Sequence, residues 1–166
     1  MDRNVFETLD LRIARQPSET IEYMLIRVLA YCLEYQDGIV LTEGVAAGDE
    51  PAVMVRDLTG KICAWIEVGM PDASRLHRGV KIAGRAAVYT HRDVRKLLAQ
   101  LSAGKIHKAD SIPVYAIDRA FIDDVADALE RRSELSISIK DRELYLILAD
   151  RNFTTTIVEH RIDSDG

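Results

Sequence analysis

Two short runs of alternating apolar residues, Ala52–Val55 and Ile62–Val68, flank the turn-forming residues Asp57-Leu58-Thr59-Gly60. Period-two alternation on both sides of such a turn reads as a β-hairpin, and the rest of the chain frames it. If Asp57 faces Lys61, regular pairing continues outward until Pro51 faces Glu67. That register gathers Asp49, Glu50 and Glu67 at the open end of the hairpin. Asp57 would lie about six residues away along the strand, roughly 20 Å, too far to share an ion with Glu67, and reads as a turn residue.

Carboxylates converging at one end of a hairpin suit a hard divalent cation. Asp49, Glu50 and Glu67 are therefore candidate ligands for Mg²⁺, or Mn²⁺ in its place. The competing reading is that acids near strand ends are simply solvated. Glu67 weighs against it, because it sits between Ile66 and Val68 and shares a strand face with Cys63 and Trp65.

The 166 residues, 48% of them hydrophobic, suffice for one domain spanning 1–166 with a substantial core. Cys32, in an apolar helical pattern, and Cys63, in a strand pattern, read as small core residues, consistent with a reducing compartment. Met1-Asp2-Arg3-Asn4 lacks the basic flank and apolar run of a signal peptide, and no stretch approaches the ~18 apolar residues of a membrane span. The expectation is a soluble, cytoplasmic protein with no membrane partner.

The net charge of −5 argues against general affinity for nucleic acid, but it is unevenly spread. Residues 1–74 carry 6 Lys/Arg against 13 Asp/Glu, whereas Arg75 to Lys108 carries 9 basic residues and one acid. A cation-seeking acidic cluster followed by a basic segment is the arrangement that phosphodiester cleavage needs, so nucleic acid is a candidate partner. A solvated basic helix face is the plainer alternative.

Val5–Ile13 alternates loosely, as a strand or an extended lead-in. Ser18 is a plausible cap for a helix reaching about Tyr35, in which Ile21, Met24, Leu25, Val28, Leu29 and Cys32 form one apolar stripe. Glu22 borders that stripe, either at the surface of the helix start or pointing across the core edge towards the hairpin. Ile39–Glu43 supplies a third antiparallel strand. Pro71-Asp72 then turns the chain into a second helix, capped by Asp72 or Ser74, with Arg78, Lys81 and Arg85 on its basic side and Arg75 near the hairpin end. A strand at Ala86–Tyr89, a helix at 92–101 and a strand at Ile112–Ile117 form a βαβ unit. Asp118 caps a helix over Ala120–Arg131, and Leu135–Lys140, Leu144–Ala149 and Phe153–His160 read as an antiparallel meander. His77, His91, His107 and His160 are scattered and read as surface residues.

The order helix, three antiparallel strands with acids on the second and third, helix, strand resembles the core of the PD-(D/E)xK restriction-endonuclease-like superfamily. The phrases PSETIEYM at Pro17, GDEP at Gly48, DLTG at Asp57 and WIEVGMPD at Trp65, with the basic helix that follows, resemble the bacterial YaeQ family over nearly the whole chain. The fold expected from this resemblance is a mixed α/β (α+β) core of helices around a mixed sheet, followed by the C-terminal meander. It also implies roles. Asp49 or Glu50 would be the first acidic position, Glu67 the second, and Glu22 the acid of the first helix. The lysine usual two residues after the second acid is replaced by Gly69. A basic group would then come from the next helix, as Arg75 or Arg78. Arginine cannot accept a proton, so these residues would orient a phosphate or stabilise its charge. Two readings remain: a Mg²⁺-dependent phosphodiesterase acting on nucleic acid, or a degenerate nuclease fold that binds a protein or nucleic acid without cleaving it.

Overall fold

The computed structural model describes residues 3–10, 19–42 and 50–162. Its first helix, α1 (Ile21–Leu33), holds the architecture together. The expected stripe is buried, and so are Ile26, Arg27, Ala30 and Leu33 between its members. A helix buried beyond one stripe needs covering on more than one side. Two sheets and a second helix do this.

The larger sheet has six strands in the order β10-β6-β5-β4-β3-β2. These are β2 (Ile39–Leu41), β3 (Val53–Arg56), β4 (Ile62–Val68), β5 (Ala86–Thr90), β6 (Pro113–Ala116) and β10 (Val158–Arg161). β4, β5 and β6 run parallel, and the remaining pairs are antiparallel. Helices α2 (Ala73–Ala83) and α3 (Val94–Ala103) make the crossovers. Leu76, Val80, Leu97 and Leu101 from these helices cluster with Trp65, Val88 and Val114. The opposite face, with Ile66, Val68, Ala87 and Tyr89, packs on α1 and on α4 (Arg119–Ala128).

The second sheet has the order β1-β7-β8-β9, built from β1 (Arg3–Asp10), β7 (Arg132–Lys140), β8 (Glu143–Leu148) and β9 (Arg151–Thr156). Leu135, Ile137, Leu144, Leu146 and Leu148 join the α1 core, whereas Tyr145 and Ile147 are exposed, the alternation of a sheet with one wet face. The mixed α/β class and the C-terminal meander are thus present. No helix among the described residues is long and apolar enough to cross a membrane.

Four details differ from the sequence reading. The hairpin pairs Asp57 with Lys61 as expected, but Val55 faces Ala64 while Arg56 faces Ile62. Cys63 is therefore an extra residue in a β-bulge, and the outward register slips by one. Val53 faces Ile66, so the same register carried one step further sets Ala52, not Pro51, beside Glu67. The bulge also turns Cys63 out to solvent, so only Cys32 is a core cysteine. At α1, Thr20 caps the helix by accepting from the Tyr23 N–H at 3.0 Å, while Ser18 lies outside the described residues. Finally, the last expected strand breaks at Ile157: β9 stays in the meander, and β10 crosses to pair with β6.

Candidate functional site

β4 delivers Glu67 to the carboxyl end of the parallel strands, where it is 3% exposed. A charge at such a position needs close partners. Trp65, two residues earlier on the same face, donates its indole N–H to Glu67 Oε2 at 3.1 Å. Arg75 donates Nε–H to the same oxygen at 2.8 Å and Nη2–H to the Glu50 carbonyl oxygen at 2.7 Å. One guanidinium thus bridges the two strands' open ends.

Local sequence explains its reach. Pro71 ends the hairpin, and Asp72 caps α2 by accepting from the Arg75 backbone N–H at 2.9 Å and the Ser74 hydroxyl at 2.7 Å. Those hydrogen bonds hold the Asp72 carboxyl below its ordinary range. Further along, a Cβ on Gly79 would stand 2.4 Å from the Trp65 ring. Its absence lets α2 settle directly on the indole, and the Arg78 guanidinium lies 5.8 Å from the ring centroid. Burial works to lower the Arg75 pKa, but the hydrogen bond and charge of Glu67 outweigh it and leave the value raised.

Tyr23, half-buried on the first turn of α1, faces this group. Burial first, then the charges of Glu67 and Glu19, push its phenol up to about 12, so it stays a neutral donor. Its ring lies over Gly69: a Cβ there would be 3.2 Å from the ring edge, and φ is +79°. A lysine at this position would be strained in the backbone and crowded by the ring.

A second polar unit fixes the approach to Glu50. Arg27, 1% exposed, makes a bidentate pair with Glu19 at 2.8 and 3.0 Å and donates to the Thr42 carbonyl at 2.8 Å. Thr42 Oγ1 in turn donates towards the Pro51 and Ala52 carbonyls at 2.6 and 3.0 Å. Both ends of the segment 43–49 are therefore anchored.

Among the sequence candidates, Glu67, Arg75 and the Glu50 main chain meet. Asp49 lies outside the described residues. Arg78 sits on Trp65, and Glu22 acts electrostatically on His91. No three His, Cys, Asp or Glu side chains converge as a metal cluster among the described residues. Tyr23, Glu19 and Arg27 were not singled out from sequence. For Glu19 and Arg27 the available signal was an arginine placed within the apolar stripe eight residues after a glutamate. His91, expected at the surface, is 9% exposed at the carboxyl end of β5, and its Nδ1 has no hydrogen-bond partner. Burial, aided by Arg92 and Arg119 and opposed by Asp123 and Glu22, lowers its pKa.

The YaeQ protein family matches residues 1–157, so the chain belongs to the YaeQ family. It is 30% identical to the YaeQ protein of Escherichia coli K12 over 147 residues, covering 88% of this chain and 81% of that one. The Salmonella typhi protein is 29% identical over 153 residues, covering 92% and 84%. The crystal structure of YaeQ from Pseudomonas syringae superposes with a TM-score of 0.80 at 24% identity, over 87% of this chain and 80% of that one. YaeQ from Xanthomonas axonopodis pv. citri gives 0.76 at 24% identity, over 90% and 85%. These structural matches establish a shared fold.

Proposed function

We propose that this YaeQ-family protein is a variant PD-(D/E)xK nuclease-like enzyme, a Mg²⁺- or Mn²⁺-dependent phosphodiesterase acting on nucleic acid in the cytoplasm. The observation that carries the reading is the convergence of the Glu67 carboxylate and the Glu50 carbonyl on one cationic group, Arg75. Oxygen-only donors at a buried strand end fit a hard cation in chemical type, and the guanidinium holds the place between them. Glu67, the Glu50 carbonyl or carboxylate, and Asp49 would hold the ion. Mg²⁺ there would supply Lewis-acid polarisation of a phosphoryl oxygen and a lowered pKa for the attacking water. Arg75, displaced from Glu67, would present its fork to the phosphate, and Tyr23 would donate a proton-bearing oxygen beside it. Arg78, Lys81, Arg92, Arg95 and Lys96 are exposed and would follow the nucleic-acid backbone. Glu22, paired electrostatically with His91, would act at the edge of the site. The two free cysteines suit the cytoplasm.

A second reading, a non-catalytic fold that binds protein or nucleic acid, is favoured by Gly69. Tyr23 crowds the position where a lysine would be needed, and Arg75 cannot replace it as a base. The two readings separate in one experiment: calorimetric titration with Mg²⁺ and Mn²⁺, paired with cleavage of single- and double-stranded DNA and RNA, on wild type and Glu67→Gln. The enzyme reading expects saturable metal binding and cleavage, both lost in the variant. Wild type indistinguishable from Glu67→Gln in both assays leaves the binding protein.

A further inference from the structure

At the other end of α1, away from Glu67, the two sheets enclose a cavity of about 150 Å³. Leu33, Ile139 and Ile157 form its apolar wall, and Glu34, Tyr89, Tyr115, Arg142 and Glu159 supply the polar groups. The Tyr89 and Tyr115 rings stack with centroids 4.8 Å apart. Glu34, 8% exposed, accepts from the Tyr89 hydroxyl and from the Arg85 guanidinium. Glu159 binds Arg161 at 2.8 Å through Oε2, while its Oε1 meets Arg142 only at 3.7 Å.

Three features define what such a space takes. Its charged lining is two carboxylates against one arginine, so an anion would be repelled where a cation would be held. The aromatic faces add attraction for a cation, and the apolar wall asks for a short hydrocarbon stem. The volume equals about five waters, room for a cationic head and about three or four carbons. Glu34 already binds a guanidinium from Arg85, which shows that the cavity's own chemistry recognises this group. The phenols carry the same imprint: burial first, then Glu34 for Tyr89, and Glu159 with Glu34 for Tyr115, raise both pKa values.

The hairpin at the mouth supports a binding role. Asp141 and Arg142 form a two-residue turn between Lys140 and Glu143, with φ of +52° and +69°. Glycine is favoured at the second of these positions. Arg142 stands there instead, at a conformational cost, and its side chain lines the cavity.

We propose that this cavity binds an alkylguanidinium or alkylammonium group, seated on the Tyr89–Tyr115 stack between the carboxylates of Glu34 and Glu159. Arg142 is the resident cation at the mouth, and it yields the Oε1 side of Glu159 to the incoming group.

The test is an NMR titration of protein carrying ¹³C-labelled tyrosine. n-Butylguanidinium and n-butylammonium chloride are the probes, with pentanoate and pentanol as anionic and neutral controls. The two cations should shift the Tyr89 and Tyr115 ring signals saturably in the millimolar range. Glu159→Gln, a partly exposed change that leaves the fold intact, should weaken that binding about tenfold, and Arg142→Gly should preserve or tighten it. A Gly-Gly-Arg-Gly-Gly amide that binds more tightly than butylguanidinium assigns the group to a protein partner's side chain. Equal or weaker binding assigns it to a free small cation. The proposal falls if pentanoate or pentanol shifts the rings as strongly as the cations, if the rings do not respond, or if Glu159→Gln binds the cations unchanged.

Discussion

The two ends of α1 solve the same problem with the same parts. Near its start, buried Glu67 accepts from an arginine and an aromatic N–H, Arg75 and Trp65. At its end, buried Glu34 accepts from an arginine and an aromatic O–H, Arg85 and Tyr89. The difference lies in what closes around them. At Glu67 the guanidinium also takes a main-chain carbonyl, so the ligand set is drawn together by backbone. At Glu34 the carboxylate borders a cavity framed by side chains from both sheets. A buried carboxylate–arginine pair therefore does not by itself announce a metal site, and the surrounding donors decide what it can hold.

The largest expected effect tests how firmly the Glu67 end is anchored. Arg27→Met leaves Glu19 buried without its cation and should destabilise the protein by about 4 kcal/mol in urea unfolding, because both partners are almost fully covered. A loss below about 1 kcal/mol would mean that Glu19 finds other compensation. Next comes the direct contrast. Arg75→Met should cost about 2 kcal/mol, since Arg75 is 30% exposed, whereas Arg85→Met should cost about 1 kcal/mol, its side chain being 49% exposed and its pairing better screened. Equal losses would erase the distinction between the two ends.

The smallest effect concerns His91, which shares the sheet end with Glu67. Its folded pKa is lowered below 6.5, so the unfolded chain binds the proton more readily. The stability it contributes is complete above 6.5 and is lost as pH falls from there towards the folded value. Urea unfolding at pH 7.5 and 5.5 should therefore show a smaller acid-side loss in His91→Phe than in wild type. Identical losses would show that His91 titrates alike in the folded and unfolded chains.

Much of this was legible in the sequence because it depended on neighbours along the chain. Asp57 and Gly60 specified the hairpin turn, and Pro71 with Asp72 started α2 beside the hairpin, which brought Arg75 to Glu67. What escaped depended on contacts distant in sequence. The bulge at Cys63 leaves no local trace, yet it moved the register by one residue. On α1 the choice between Glu22 and Tyr23 is a rotation of about 100°, set by how the helix lies across the sheet. His91 followed a correctly located strand, but its burial comes from helices that pack over the strand end.

The indole beside Glu67 also makes the protein its own optical instrument. Trp65 is the chain's single tryptophan, it is 1% exposed, and its N–H rests on the carboxylate around which the Glu67 site is built. Whatever draws that carboxylate away, whether a metal ion, a phosphate or a displaced Arg75, alters the polarity felt by one fluorophore, so occupancy can be followed by emission without a label.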